Sequence, residues 1–184
     1  CYRLDGIPLA IELAASRVKA LPVAQIAERL DDRFRLLTGG SRTALPRHQT
    51  LRAMIDWSYN LLSEQERMIL HWLSIFAGGW TLQAAEAVCS GNGIEAADVL
   101  NLLTLLVAKS LVLYEERKGQ ARYRLLETIR QYARESLQES EITAALHRRH
   151  RDYFLELVER EEASLSGPKQ VAAFDALEVD LDNI

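Results

Sequence analysis

No apolar run in this sequence approaches the roughly 20 residues that a membrane-spanning helix needs. The start, Cys1-Tyr2-Arg3-Leu4-Asp5, is neither a basic leader nor followed by a signal-type apolar segment. Neither a membrane partner nor export is therefore expected. Cysteine is scarce: Cys1 and Cys89 are the only two, too few for a disulfide framework and without metal-ligand spacing, which suits a reducing cytoplasm. A phosphate-cradling loop of the form G-x-x-x-x-G-K-S/T is missing. Gly39-Gly40, Gly78-Gly79 and Gly91-Asn92-Gly93 have no lysine and hydroxyl residue behind them, so they read as turns and caps. No H-E-x-x-H, paired-cysteine or G-x-S-x-G pattern occurs, and the chain by itself is not expected to be an enzyme or to hold a metal. An excess of positive charge is lacking too. The net charge of −4 weighs against a wholly basic nucleic-acid surface but leaves room for a local phosphate-binding patch.

What is present is enough apolar material, 48% of 184 residues, for one domain or for two or three small ones. Pro8 suits the first turn of a helix because it has no N–H to lose, and a helix through about Leu21 follows, with Glu12, Ser16 and Lys19 as a thin wet stripe and Val18 among the covered residues. A short helix carrying Ile26 and Leu30 comes next, then "TGGSRTALP" (38 to 46), which gathers Gly, Ser, Thr and Pro and reads as a linker. Leu51, Ile55, Ser58 and Leu62 mark a further helix. "SEQE" (63 to 66) is a capping box opening another, with Ile69, Trp72, Leu73 and Phe76 inward, and Thr81 can cap a third. Val99, Leu102, Leu103 and Leu106 line the inner face of a helix from Ala97 to Lys109.

The period then changes. "LVLYEERKGQARYRL" (111 to 125) alternates about a charged, glycine-containing turn and predicts a β-hairpin, after which Ile129, Tyr132, Ala133 and Leu137 restore helical spacing. A last long helix spans 142 to 164, with Ile142, Leu146, His150, Tyr153 and Leu157 in its packed stripe and the arginines of "HRRHR" towards solvent. "SGP" (166 to 168) breaks it, and a further helical segment begins near Val171. Trp57, Trp72 and Trp80 read as core residues. The fold class is thus mainly α: a helical subdomain at 1–45, a winged-helix-like domain at 46–140 with one small β-hairpin, and the start of a helical repeat array at 141–184.

If the winged helix reads DNA, its 97–109 helix would enter the major groove, where base readout uses Arg, Lys, Asn or Gln. That face offers Asn101 and Thr104 with one terminal lysine. The hairpin adds Arg117, Lys118, Arg122 and Arg124, partly cancelled by Glu115 and Glu116. A packing or interaction role is expected of this unit rather than direct base readout, since fold alone does not set function.

Taken together, "GIPLAIELAASRV" (6 to 18), "RHQTLRAMIDWSYNLLSEQER" (47 to 67), "LSIFAGGWTLQAAEAVC" (73 to 89), "LVAKSLV" (106 to 112) and "RYRLLETIRQYARE" (122 to 135) resemble the bacterial transcriptional regulators of the STAND class, signal-transducing ATPases related to NB-ARC modules. The resemblance implies a middle portion: a helical lid opening on a Gly-x-Pro motif, a winged helix, and the first helices of a tetratricopeptide-like sensor. It further implies an upstream nucleotide-binding domain, ATP or ADP as the switching ligand of the longer protein, and DNA binding through a separate domain. Pro8 would lie against adenine, with Gly6 and Ile7 shaping the turn. At the family's Met-His-Asp motif this chain has Leu125, Leu126 and Glu127. The phosphate-touching histidine is missing, and Arg124 or His48 would have to serve instead. The rival expectations are a DNA-binding winged helix and a nucleotide-independent protein-interaction scaffold.

Overall fold

In the computed structural model, residues 4, 6–28, 30, 51–117, 119–137, 141–162, 165–166 and 170–184 are described. They fall into two compact units, Cys1–Ser63 with Leu126–Tyr132, and Glu64–Leu125 with Ala133–Ile184.

In the first unit α1 spans Pro8–Ser16, with Pro8 at its first position and Ile7 as an extended N-cap. Ala10, Leu13 and Ala14 are buried, while Glu12 and Ser16 are exposed. The α-helix does not reach Leu21: it tightens into a 3-10 turn at Arg17–Lys19. Three residues per turn instead of 3.6 shifts the phase of the side chains, and Val18, expected among the covered residues, is 53% exposed. Helix α2, Val23–Glu28, buries Ile26, and Leu30 beyond it is also buried. The expected linker at 38–46 and His48 lie outside the described residues.

Helix α3, Leu51–Asn60, buries Leu51 and Ile55. Trp57, expected in the core, is 51% exposed, because two residues on from Ile55 is about 200° around the helix. The unit is completed by the first part of α7, Glu127–Ser136. There the Tyr132 hydroxyl donates to Asp56 Oδ1 at 2.7 Å, its ring meets Tyr59 edge-on at 5.4 Å, and the Arg52 guanidinium lies 5.5 Å from the ring centre.

The second unit begins with α4, Glu64–Leu73, which buries Ile69, Leu70, Trp72 and Leu73 on one side. Gly78, at φ +77°, turns the chain into strand β1, Gly79–Thr81. Thr81 then caps α5, Leu82–Cys89, its side chain accepting from Ala84 N. Helix α6 is Ala96–Ala108, and the hairpin follows as β2, Val112–Arg117, and β3, Gln120–Leu125. The three strands form an antiparallel sheet in the order β1-β3-β2. The sequence predicts only the two-stranded hairpin. Three residues are too few to display a period of two, and the partner of Trp80 is Tyr123, far along the chain.

Register sorts the sheet into two faces. Trp80 lies beside Tyr123 and Tyr123 beside Tyr114, with Val112 beside Leu125, on the face whose Trp80, Tyr123, Val112 and Leu125 are buried. On the opposite face Thr81, Arg122 and Glu115 are aligned, flanked by Leu113 and Arg124 on one side and Arg117 and Gln120 on the other.

Helix α8, Glu141–Glu162, packs on α5, and α9, Gln170–Glu178, packs on α8. The packed stripe of α8 starts at Leu146 and includes Phe154. Ile142, in the first turn, is 42% exposed. Arg149 also departs from expectation: it is half-buried, and its Nη1 donates to Ser90 O at the end of α5, where the free carbonyls of a helix C-terminus attract a cation. Phe76 gathers Trp80, His150 and Phe154 at ring-centre distances of 5.1, 5.1 and 6.2 Å. The chain ends in a 3-10 turn, Leu181–Asn183.

Candidate nucleic-acid interface

Helix α6 is built by leucine spacing: Val99, Leu102, Leu103 and Leu106 are buried, and Asp98 stands in the first turn where a carboxylate suits the helix dipole. Its outer face carries Leu100 and Leu105, 44% and 48% exposed, with Asn101 and Thr104. The Thr104 hydroxyl is turned back to donate to Leu100 O at 2.8 Å. The one lysine at this end, Lys109, donates to Glu66 Oε1 at 2.5 Å. The outward face of α6 thus presents an amide and two leucines but no cation.

The hairpin supplies the charge. Arg117 and Arg124 are exposed, as are Glu115 and Glu116, and Lys118 lies outside the described residues. Arg122, expected beside them as a phosphate contact, is instead buried: its Nη2 donates to Asp180 Oδ1 and to Val179 O, each at 2.8 Å. Both side chains of this ion pair are almost entirely withdrawn from solvent, at 6% and 10% exposed. No local signal could have announced the pairing, because Asp180 is 58 residues away.

Asn183 binds next to it. Its Oδ1 accepts from Ala77 N and its Nδ2 donates to Gly79 O, both at 2.8 Å, so one amide satisfies a donor and an acceptor of the turn into β1. His150 Nε2 lies 3.4 Å from the same Oδ1. Burial lowers the His150 pKa, the Asn183 contact opposes that shift and His147 adds to it. Gly78 gives the turn both its positive φ and its closeness, since a Cβ there would stand 2.9 Å from Asp182 Oδ2. Cys89 is no reactive thiol: complete burial pushes its pKa up, against the opposing charge of Arg149.

The nucleotide candidates occupy separate elements. Gly6, at φ +67°, has open space where a Cβ would point. Ile7 is half-buried and Pro8 exposed at the start of α1. Leu126 is half-buried just before α7, and its carbonyl accepts from Arg130 N. Glu127 opens α7 and accepts from Arg130 through both carboxylate oxygens, at 2.7 and 2.8 Å. Arg124 is exposed on β3. Among the described residues no cluster of His, Cys, Asp and Glu could hold a metal ion, and no helix is long and apolar enough to cross a membrane.

Helices α4, α5 and α6 followed by a hairpin that pairs with the short strand between α4 and α5 define a known arrangement, and residues 62–138 match the family described as "Winged helix-turn-helix domain". The chain thus carries a winged helix domain, similar over residues 62–138 to that family. Over a stretch that includes this region, the chain is 52% identical over 168 residues, 91% of its length, to proteins of Mycobacterium bovis and Mycobacterium tuberculosis named "Putative HTH-type transcriptional regulator". It is 46% identical over 154 residues, 83% of its length, to a Mycobacterium tuberculosis protein named only as uncharacterized. The chain spans 18% of the length of the first relatives and 39% of the last. No solved structure matches it.

Proposed function

We propose that this chain is the regulatory middle of an HTH-type transcriptional regulator, in which the winged helix-turn-helix domain packs against protein rather than reading bases. The observation that carries this reading is the outer face of α6: Leu100 and Leu105 stand exposed beside Asn101 and Thr104, and Lys109 is bound to Glu66. Base edges are read chiefly by Arg, Lys, Asn and Gln, whereas exposed leucines gain free energy when another protein surface covers them.

On this proposal, exchange of ATP for ADP in an upstream nucleotide-binding domain moves the domain and the helices behind it, and a separate domain engages DNA. The resemblance to STAND-class regulators supports it, with Pro8 lying against the adenine, Gly6 and Ile7 shaping the turn, and the neighbourhood of Leu126 and Glu127 facing the phosphates. Downstream helices would belong to a repeat-type sensor. Pro8→Ala with Leu126→Asp in the full-length regulator is expected to weaken ADP binding and alter transcriptional activation. Parent-like values of both would remove the nucleotide switch from this reading.

A second reading rests on exposed Arg117 and Arg124 on one sheet face: the wing contacts nucleic-acid phosphates without base readout. It predicts weak, salt-sensitive duplex binding that Arg117→Gln with Arg124→Gln abolishes. Binding unaffected by these changes would end it.

A further inference from the structure

We propose that residues 179–184 are a releasable latch that withholds Arg122 from the phosphates of a nucleic-acid duplex. The proposal takes its ligand from the second reading above, while its mechanics stand on the contacts of the latch alone.

The attachment is polar. Asp180 and Asn183 are buried, whereas Leu181 and Ile184 are 68% and 56% exposed. Asp180 and the Val179 carbonyl hold Arg122, and Asn183 bridges Ala77 N and Gly79 O. Such contacts depend on geometry and exchange for water at small net cost once the segment lifts. They also act together, because a buried arginine left without its carboxylate is strongly disfavoured until it reaches solvent. The latch is therefore closed with all its contacts or open with none.

Opening changes what the sheet presents. Arg117, Arg122 and Arg124 share one face, on which Glu115 is the acid across from Arg122. With the latch closed, Asp180 neutralises Arg122 and its segment covers it. With the latch open, Arg122 joins the two exposed arginines and the face becomes basic. A phosphate backbone and the Asp180 carboxylate then compete for one guanidinium, so duplex binding and latch closure oppose each other by linkage.

The test uses the full chain and a fluorescent mixed-sequence DNA duplex, with anisotropy read at several salt concentrations. Asn183→Leu opens the latch without changing charge, and is expected to tighten binding by about threefold to tenfold with a salt slope steeper by about 0.9, the increment for one added phosphate contact. Adding Arg122→Gln to that variant should return both quantities to the wild-type values. Asp182→Asn removes a neighbouring charge while keeping the side chain's size and the hydrogen bonds of Asp180 and Asn183, and should leave the salt slope unchanged.

Amide exchange at Ala77, faster in Asn183→Leu, reports opening independently of any ligand. Faster exchange without tighter binding would overturn the proposal, as would tightening that survives Arg122→Gln. Should Asn183→Leu fail to fold, the wild-type chain decides: excess duplex at low salt must accelerate exchange at Ala77 while Leu70 in α4 stays slow, and an unchanged Ala77 rate sinks the latch. The second reading fails separately, through Arg117 and Arg124 in the closed protein.

Discussion

Lys109 Nζ donates to Glu66 Oε1 at 2.5 Å, tying the residue after α6 to the first turn of α4. The two partners are not equivalent: the Lys109 side chain is 35% exposed and that of Glu66 only 4%. Lysine can turn to water when its partner is lost, but Glu66 cannot.

Lys109→Met is therefore expected to destabilise the domain by about 2 kcal/mol, below the range for breaking a fully buried pair because one partner is partly solvated. Glu66→Gln should cost less, since it retains an acceptor and removes the buried charge. Urea midpoints of the two variants check the order, and a costlier Glu66→Gln would refute it.

The cap at Thr81 is a second test. Its side chain accepts from Ala84 N at 3.2 Å, so Thr81→Ala should lose about 1 kcal/mol, with most of it retained in Thr81→Ser. Thermal unfolding of the three proteins measures this, and equal melting temperatures for Ala and Thr would contradict it.

Tyr132→Phe removes the donor to Asp56 and should cost about 1 kcal/mol at neutral pH. The Tyr132 pKa is raised, first by burial and then by the Asp56 hydrogen bond. A phenol whose folded pKa lies above its unfolded value contributes stability in full below about pH 10, and loses it as the pH rises further. Wild-type stability should therefore fall above pH 10, and Tyr132→Phe should remove part of that fall.

At the acid end, His150 and His71 both have lowered pKa values, each mainly through burial, with Arg67 adding to the shift of His71. Both are neutral in folded and unfolded chains well above the ordinary histidine value of 6.5. Below it the unfolded chain binds protons first, so stability declines as the pH falls. The drop in urea midpoint between pH 7.5 and 5 should be smaller in His150→Gln and smaller still when His71→Gln is added. A slope unchanged by both substitutions would refute the assignment.

Leu100→Gln with Leu105→Gln on the outer face of α6 should leave the chain's stability within about 0.5 kcal/mol, as surface changes usually do. In a full-length regulator the same pair is expected to alter activation, because it removes apolar surface from the proposed protein contact. Unaltered activation would count against that contact.

How far these features could be read from the chain differs by element. The inward residues of α4 and α6, the Thr81 cap and the β2-β3 hairpin follow from spacing within a few residues, and so were legible. Trp57 was not: its apolar character suggested the core, whereas its helical phase relative to Ile55 sends it outward. The candidates Gly6, Ile7, Pro8 and Glu127 lie at helix starts, while the adenine contact of Pro8 rests on resemblance alone.

By itself the sequence determined a mainly helical chain with an α4-to-β3 pattern that specifies a winged helix, because hydrophobic periodicity and capping act over one or two turns. The tertiary structure alone decided that β1 joins the sheet, that Arg149 ends up against Ser90, and that Arg122 is held by Asp180 rather than offered to solvent. These outcomes depend on which distant groups meet where water is excluded. There an unpaired charge or backbone group is costly, so the partner that reaches it sets its role.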